Sequence, residues 1–351
     1  MSKLVSVQVL RAAAALSVAM LHVQHDAAAI AARVGRDFVP FRAFPWEAGV
    51  DVFFVISGFI MVHASRRLFG RSEARPLFLG RRIARIVPIY WAVTTLFLAI
   101  ALLAPSVLNS DYPGLWPVIA SYLFIPVPRP DGVVQPLYGL GWTLNYEMFF
   151  YAVFSVAVVW PRRRAVAAVM AALVALVVAG RAFGPLPEPL GFWTDPIILE
   201  FVYGMALGLA YGEGVRFARG GRLLLALGGM GLLAVAAPLQ GEAGSLRALV
   251  YGVPAAMLVA AVAFGQERAI AAGRLARLGE RVGDASYALY LIHPFAIRAG
   301  REMALASGVA ALISPWAFVA LALATSIGAA MLLHRWFERP VTDALRAWLK
   351  A

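Results

Sequence analysis

Cysteine is absent from this chain, which removes disulfides, zinc–thiolate sites and any cysteine nucleophile, though it leaves the compartment open. Lysine is nearly absent: it occurs only at Lys3 and Lys350. A phosphate-binding P-loop needs a Gly-Lys pair in its glycine-rich turn, and none exists, so an ATP-driven pump within this chain is excluded. Acidic residues are scarce, 19 against 31 Lys and Arg, and no polar stretch is long enough for a separate soluble domain. No short-period repeat is present. A cleavable leader is not expected, because Arg11 interrupts the first apolar run and further apolar runs follow it.

What is abundant is apolar surface. Hydrophobic residues make up 62% of the chain and mean hydropathy is +0.77, against about 45–50% apolar usage in soluble domains. An all-α polytopic membrane protein is expected, because apolar windows of roughly 17–23 residues suit helical spans and short alternating segments, the mark of a barrel, are lacking. Ten windows qualify, near 7–27, 46–64, 86–104, 138–160, 165–181, 195–212, 223–239, 248–265, 284–302 and 312–334. With the N-terminus inside, most basic residues fall on inner segments, above all the arginines from Arg66 to Arg85 and Arg162 to Arg164, and from Arg268 to Arg281. Fewer, such as Arg33, Arg36, Arg129 and Arg247, fall outside. Both termini are therefore expected in the cytoplasm. The net charge of +12 is then an orientation signal and gives no reason to expect nucleic acid.

The first window, "VLRAAAALSVAMLHVQHDAAA" (residues 9–29), carries Arg11 near one end and His22 deep in the apolar run. Eleven residues rise roughly 16 Å and come within ~20° of three whole turns, so both side chains share one helix face. Two readings stand for the pair. Arg11 snorkels to the headgroups and His22 is a satisfied interior histidine, or the face looks into a bundle interior or wet cavity where charge does chemistry. His25 lies one turn on, but no third ligand has motif spacing, and no metal site is expected.

Other windows repeat the pattern of polar groups at depth. "EAGVDVFFVISGF" sets Asp51 at the outer start of a span and Ser57–Gly58 in its middle, where small residues let helices approach closely. "RSEARPLFLGRRIARIVPIYW" places Arg82 and Arg85 three apart on one face, a spacing suited to gripping phosphate with planar guanidinium forks, although orientation alone also explains arginines there. Pro88 is expected to loosen that span. "WTLNYEMFFY" holds Trp142, Asn145 and Glu147; the Trp suits an interfacial belt, whereas the carboxylate must face the bundle or an external cavity. Glu200 enters the sixth span at similar depth, and either carboxylate also suits a structural ion pair. "RVGDASYALYLIHPF" contributes His293 before Pro294, with Asp284 or Ser286 as a natural helix cap.

Taken in order, an Arg followed eleven positions on by His, then "GVDVFFVISGF", "RRIARIVPIYW", "WTLNYEMFFY", "SYALYLIHP" and "WFERP" resemble the acyltransferase 3 family, and most closely its bacterial exopolysaccharide O-acetyltransferase branch. The resemblance covers nearly the whole chain. It implies transfer of an acetyl or other acyl group from cytoplasmic acyl-CoA to a carbohydrate hydroxyl of an exported glycan, in the inner membrane of a bacterium. It implies one transmembrane domain over 1–351 with no appended hydrolase-like domain. It carries over Arg11 and His22, Arg82 and Arg85, and Glu147 as functional positions, with Thr143 where many relatives have serine.

The implied chemistry is simple to state. A sugar hydroxyl is a weak nucleophile, and a neutral His22 in hydrogen-bond reach can take its proton as it attacks the thioester; acylation of His22 before transfer is the alternative route. Arg82, Arg85 and Arg11 are expected to hold acetyl-CoA. Asp51, Glu147 and Glu200 are expected to ring an outward cavity for the acceptor, opposite the basic groups, together with Trp142, Asn145 and His293. Ser57, Tyr90, Asn145 and His293 are candidate oxyanion donors. The rival class is a transporter or flippase for a lipid-linked glycan, because polar groups in broken helices also mark transporters.

Overall fold

The computed structural model describes residues 4–103, 114–265 and 273–349. The two lysines, Lys3 and Lys350, and Arg268 of the inner basic residues lie outside the described residues. In an apolar layer the backbone must satisfy its own hydrogen bonds, and long Ala-, Leu- and Val-rich runs do so as helices. The main helices are α1 (Val5–Arg33), α2 (Gly49–Ala64), α3 (Ala74–Leu103), α4 (Leu115–Tyr122), α5 (Trp142–Ala157), α6 (Arg162–Phe183), α7 (Leu199–Gly212), α8 (Arg219–Ala236), α9 (Val253–Ala263), α10 (Arg274–Asp284), α11 (Ser286–Ala306), α12 (Pro315–Leu333) and α13 (Arg339–Trp348). No strand occurs among the described residues. An isolated antiparallel bridge joins Pro128 and Val134.

Eight stretches among the described residues are long and apolar enough to cross a membrane. The two remaining windows, 138–160 and 284–302, are also helical, as α5 and α11, but they are not among those eight. Each carries polar groups in its interior: Asn145 and Glu147 in α5, and His293, Arg298 and Arg301 in α11.

Helix boundaries depart from the windows where charge hides helix. α3 begins at Ala74, twelve residues before its window, so Arg82 and Arg85 lie on the helix itself. Pro88 sits inside α3, and the helix continues past it. The cap expected from Asp284 or Ser286 is not made: Asp284 ends α10, Ser286 opens α11, and Ala285 stands between them without a side-chain bond. Two wide π turns, Ala248–Gly252 and His334–Glu338, each end just before a residue followed by proline. A wider turn accommodates the missing proline N–H.

The chain divides into two compact units, Met1–Ile56 with Ala210–Phe337, and Ser57–Leu209 with Glu338–Ala351. In the first, α1 packs against α11 and α12. His22 meets His293 and Asp26 meets Arg301, so positions rise together along α1 and α11 and the two helices run parallel. An apolar cluster of Val23, Ala27, Ile30, Ile297, Phe318 and Val319 fills the space beside them. α8 and α9 form an antiparallel pair, with Arg222 at Ala261 and Gly229 at Pro254.

In the second unit, α3 and α5 are antiparallel: Arg75 donates to Ser155 O near the end of α5, and Tyr90 packs on Gly141 at its start. Stacked rings carry the α5 contact onward, Tyr146 on Phe192 at 3.9 Å and Phe150 on Phe201 at 4.4 Å. The second half of α2 runs parallel to α7, with Gly58 against Phe201 and Met205 and Gly208 against Phe59 and Val62.

A Cβ on Gly58 would press into Phe201 O and lie 3.0 Å from Met205 N, both rigid backbone atoms. Overpacking of this kind costs about 1–3 kcal/mol. Gly58→Ala is expected to lower the thermal midpoint of the detergent-purified protein by several degrees; an unchanged midpoint would mean that α2 and α7 do not approach this closely.

Candidate active site

The first unit holds the histidine pair. α1 is unbroken from Val5 to Arg33, so Arg11 and His22 keep the common face that their spacing requires. His22 is partly exposed and His293 is fully buried. His293 Nε2 lies 3.2 Å from His22 Nδ1. The backbone oxygen one turn earlier in each helix also meets a ring nitrogen: Val18 O is 2.9 Å from His22 Nδ1, and Leu289 O is 2.9 Å from His293 Nδ1. The rings tilt at 53° with centroids 5.0 Å apart. Tyr290, itself edge-on to Phe53, lies beside His293. His22 thus pairs with a histidine 271 positions away, and not with His25.

The second unit holds a carboxylate cluster. Ser57 Oγ donates to Glu147 Oε1 at 3.0 Å, and the Tyr151 hydroxyl donates to the same oxygen. Arg82 lies over both the Phe78 and Tyr151 rings at 6.0 Å, within electrostatic reach of Glu147. Arg85, also on α3, and Arg346 on α13 are its cationic neighbours. The antiparallel packing of α3 on α5 produces this arrangement, because it sets Arg82 beside Tyr151, one turn past Glu147. Carboxylate and guanidinium are therefore neighbours here, where the sequence suggested opposite ends.

Residues 4–335 match the family model of the acyltransferase domain, acyltransferase 3. The chain belongs to the acyltransferase 3 family. It is 39% identical over 296 residues to the exopolysaccharide production protein ExoZ of Rhizobium meliloti (strain 1021), covering 82% of this chain and 88% of that protein. It is 28% identical over 323 residues to the acyltransferase MdmB of Streptomyces mycarofaciens, covering 83% and 79%. No solved structure matches the chain. Membership makes the protein an enzyme that transfers acyl groups, and it sets the transporter reading aside.

Within this acyltransferase 3 chain the remaining expected residues find varied settings. Arg11 Nη1 donates to Gln8 Oε1 at 3.2 Å. Trp142 meets Tyr146 edge-on at 5.9 Å. Asn145 is buried, and neither atom of its amide has a hydrogen-bond partner among the described residues. Glu200 is fully buried on α7. Of the oxyanion candidates, Ser57 is spent on Glu147, Tyr90 packs against Phe124 and Gly141, and both nitrogens of His293 are engaged. Tyr151 is a hydrogen-bond partner of Glu147 that sequence reading did not pair with it, although its position one turn after Glu147 is a readable signal. Arg346 had no such signal.

Asp51 departs from the acceptor-cavity expectation most clearly. Its carboxylate is fully buried and takes two bonds from Arg247, 2.9 Å from Nε and 2.7 Å from Nη2. Arg247 also reaches Glu47 O at 3.4 Å and lies over the Tyr251 ring. A bidentate pair of this kind fixes helix ends, and removing one partner strands the other. Asp51→Ala is expected to destabilise the fold by about 3 kcal/mol, with most of the loss recovered in the double variant Asp51→Leu/Arg247→Met. Thermal unfolding in detergent checks this; a stable Asp51→Ala protein that no longer modifies its acceptor would return Asp51 to substrate binding.

Proposed function

We propose that the protein is a membrane O-acyltransferase that moves an acetyl group from cytoplasmic acetyl-CoA to a hydroxyl of an exopolysaccharide or lipid-linked surface glycan. The observation that carries this reading is the partly exposed imidazole of His22, held by an interior hydrogen bond inside an acyltransferase 3 domain. The printed name of the Rhizobium relative, an exopolysaccharide production protein, supports a carbohydrate acceptor. His22 takes the hydroxyl proton as the acyl carbon is attacked, or carries the acyl group between donor and acceptor. Arg82 and Arg85 bind the phosphates of the donor, and Arg11 its polar arm. Glu147, oriented by the Ser57 and Tyr151 hydroxyls, serves the transfer step, and Trp142, Asn145 and Glu200 contact the acceptor.

The reading includes ten spans in one domain over residues 1–351, both termini in the cytoplasm and the bacterial inner membrane as location. Alternation along ten spans makes the first and ninth parallel, the second and sixth parallel, and the third and fourth antiparallel. The directions of α1 and α11, α2 and α7, and α3 and α5 support it. The polar helices α5 and α11 then cross the membrane with their polar faces turned to protein.

Two experiments test the assignment. His22→Ala is expected to abolish O-acylation of the exported glycan, a loss of at least about 10²- to 10⁴-fold for a missing base, while the protein still inserts and accumulates; O-acyl signals in the NMR spectrum of the glycan read the outcome, and normal signals would end the proposal. Arg82→Ala and Arg85→Ala should weaken acetyl-CoA binding measured by calorimetry on purified protein, with lysine restoring it only in part, because an ammonium keeps the charge without the fork. Unchanged affinity in both alanine variants would leave these arginines an orienting role alone.

A further inference from the structure

The contact between the two histidines fixes which nitrogen of His22 is bare. Leu289 O can only accept, so the hydrogen of His293 sits on Nδ1, 2.9 Å away, and in the neutral ring Nε2 is a lone pair. That lone pair lies 3.2 Å from His22 Nδ1, which is also 2.9 Å from Val18 O. Both neighbours of His22 Nδ1 are acceptors, so His22 Nδ1 carries the hydrogen and shares it between them. Reversing the assignment would set bare nitrogen against carbonyl oxygen at Val18 and at Leu289 together. The remaining nitrogen of His22, Nε2, is the basic one.

We propose that His293 is a positioning residue for acyl transfer: it holds His22 in the tautomer that presents a basic Nε2 and accepts from Nδ1–H while His22 carries the proton. The proposal rests on His22 acting as the base, as set out above. In the step it serves, the acceptor oxygen bonds to the acyl carbon as the carbon–sulfur bond of the thioester breaks. The hydroxyl proton passes to His22 Nε2 and from there to the departing thiolate sulfur, which leaves as the thiol of CoA. Burial decides where the proton rests meanwhile. His293 has no exposed surface, whereas His22 is partly exposed, and a charge is costlier in the drier place. His293 therefore accepts a hydrogen bond without taking the proton. The same geometry leaves His293 no hydrogen to give a substrate or an oxyanion.

The test uses full-length protein purified in detergent, with labelled acetyl-CoA as donor and the host's own exopolysaccharide, freed of O-acyl groups by mild alkali, as acceptor. His293→Phe is expected to lower kcat about 10- to 100-fold, less than the roughly 10²- to 10⁴-fold of a missing base because His22 itself remains, while KM for acetyl-CoA stays within about twofold. His293→Gln should restore most of the rate, because its carbonyl oxygen can accept from His22 Nδ1–H. The chain has five histidines, so nitrogen NMR on histidine-labelled protein resolves them, with His22→Ala identifying the signals of His22. Protonated Nδ1 and bare Nε2 are expected in the parent protein and a mixed tautomer in His293→Phe. A folded His293→Phe protein with full kcat, or a folded His293→Gln protein as slow as the Phe variant, overturns the proposal. Where His293→Phe does not fold, the rate of His293→Gln decides alone. An active His22→Ala protein removes the underlying reading instead, and an inactive one beside a fully active His293→Phe removes only this inference.

Discussion

A polar group inside an apolar layer has no water to bond, and each one must find its partner in protein. That constraint organises both units. In the first it pairs Asp51 with Arg247, Asp26 with Arg301 and His22 with His293. In the second it brings the hydroxyls of Ser57 and Tyr151 to a single oxygen of Glu147. Each of these ties joins residues from different helices or successive turns of one, so polar satisfaction and helix packing are the same event. Apolar packing then fills in around them, as Val23, Ala27, Ile297 and Phe318 do in the cluster shared by α1, α11 and α12.

The same constraint separates groups that stabilise from groups that can react. Asp51 is fully buried and doubly bonded to one partner, and a carboxylate so held has little left to offer a substrate. His22 differs: its Nδ1 lies within hydrogen-bond distance of Val18 O and His293 Nε2, and neither of these groups meets its other nitrogen. A ring oriented on one side and uncommitted on the other is the arrangement that proton transfer needs. Asn145 is a third case, buried with its amide unpaired among the described residues, and so carries an unmet bonding capacity in a helix that also bears Glu147.

Sequence pattern made the helices legible because their signal is local. Runs of apolar residues located α1, α2, α6 and α12 closely, and the Gly58 crossing followed from a small residue in mid-span. Charge concealed the start of α3, whose first turns are as basic as a loop although Ala74 to Arg85 already wind into the helix. The His22–Arg11 face was readable from 3.6-residue periodicity alone. The partner of His22 was not, because a contact across 271 positions is set by how α1 and α11 pack and leaves no mark in either segment. The neighbourhood of Glu147 and Arg82 was misjudged for a related reason. Linear depth along a span ignores how far an arginine reaches, and antiparallel α3 and α5 overlap by more than window edges suggest.

The scarcity of lysine acquires a physical reason from the helix ends. The last turn of a helix leaves backbone carbonyls without intrahelical donors, and near the membrane surface those oxygens compete for scarce water. Arginine answers them repeatedly here. Arg75 donates to Ser155 O and Val156 O where α5 ends, Arg216 to Tyr211 O where α7 ends, and Arg222 to Ala261 O near the end of α9. A guanidinium offers five donors in a fixed plane and stays charged, so one side chain can serve two carbonyls at once and still count toward membrane orientation. An ammonium has fewer donors, no plane and tighter hydration. The basic residues that read from sequence as an orientation signal are thus also caps for the helices they orient, and the second role is the one that lysine fills poorly.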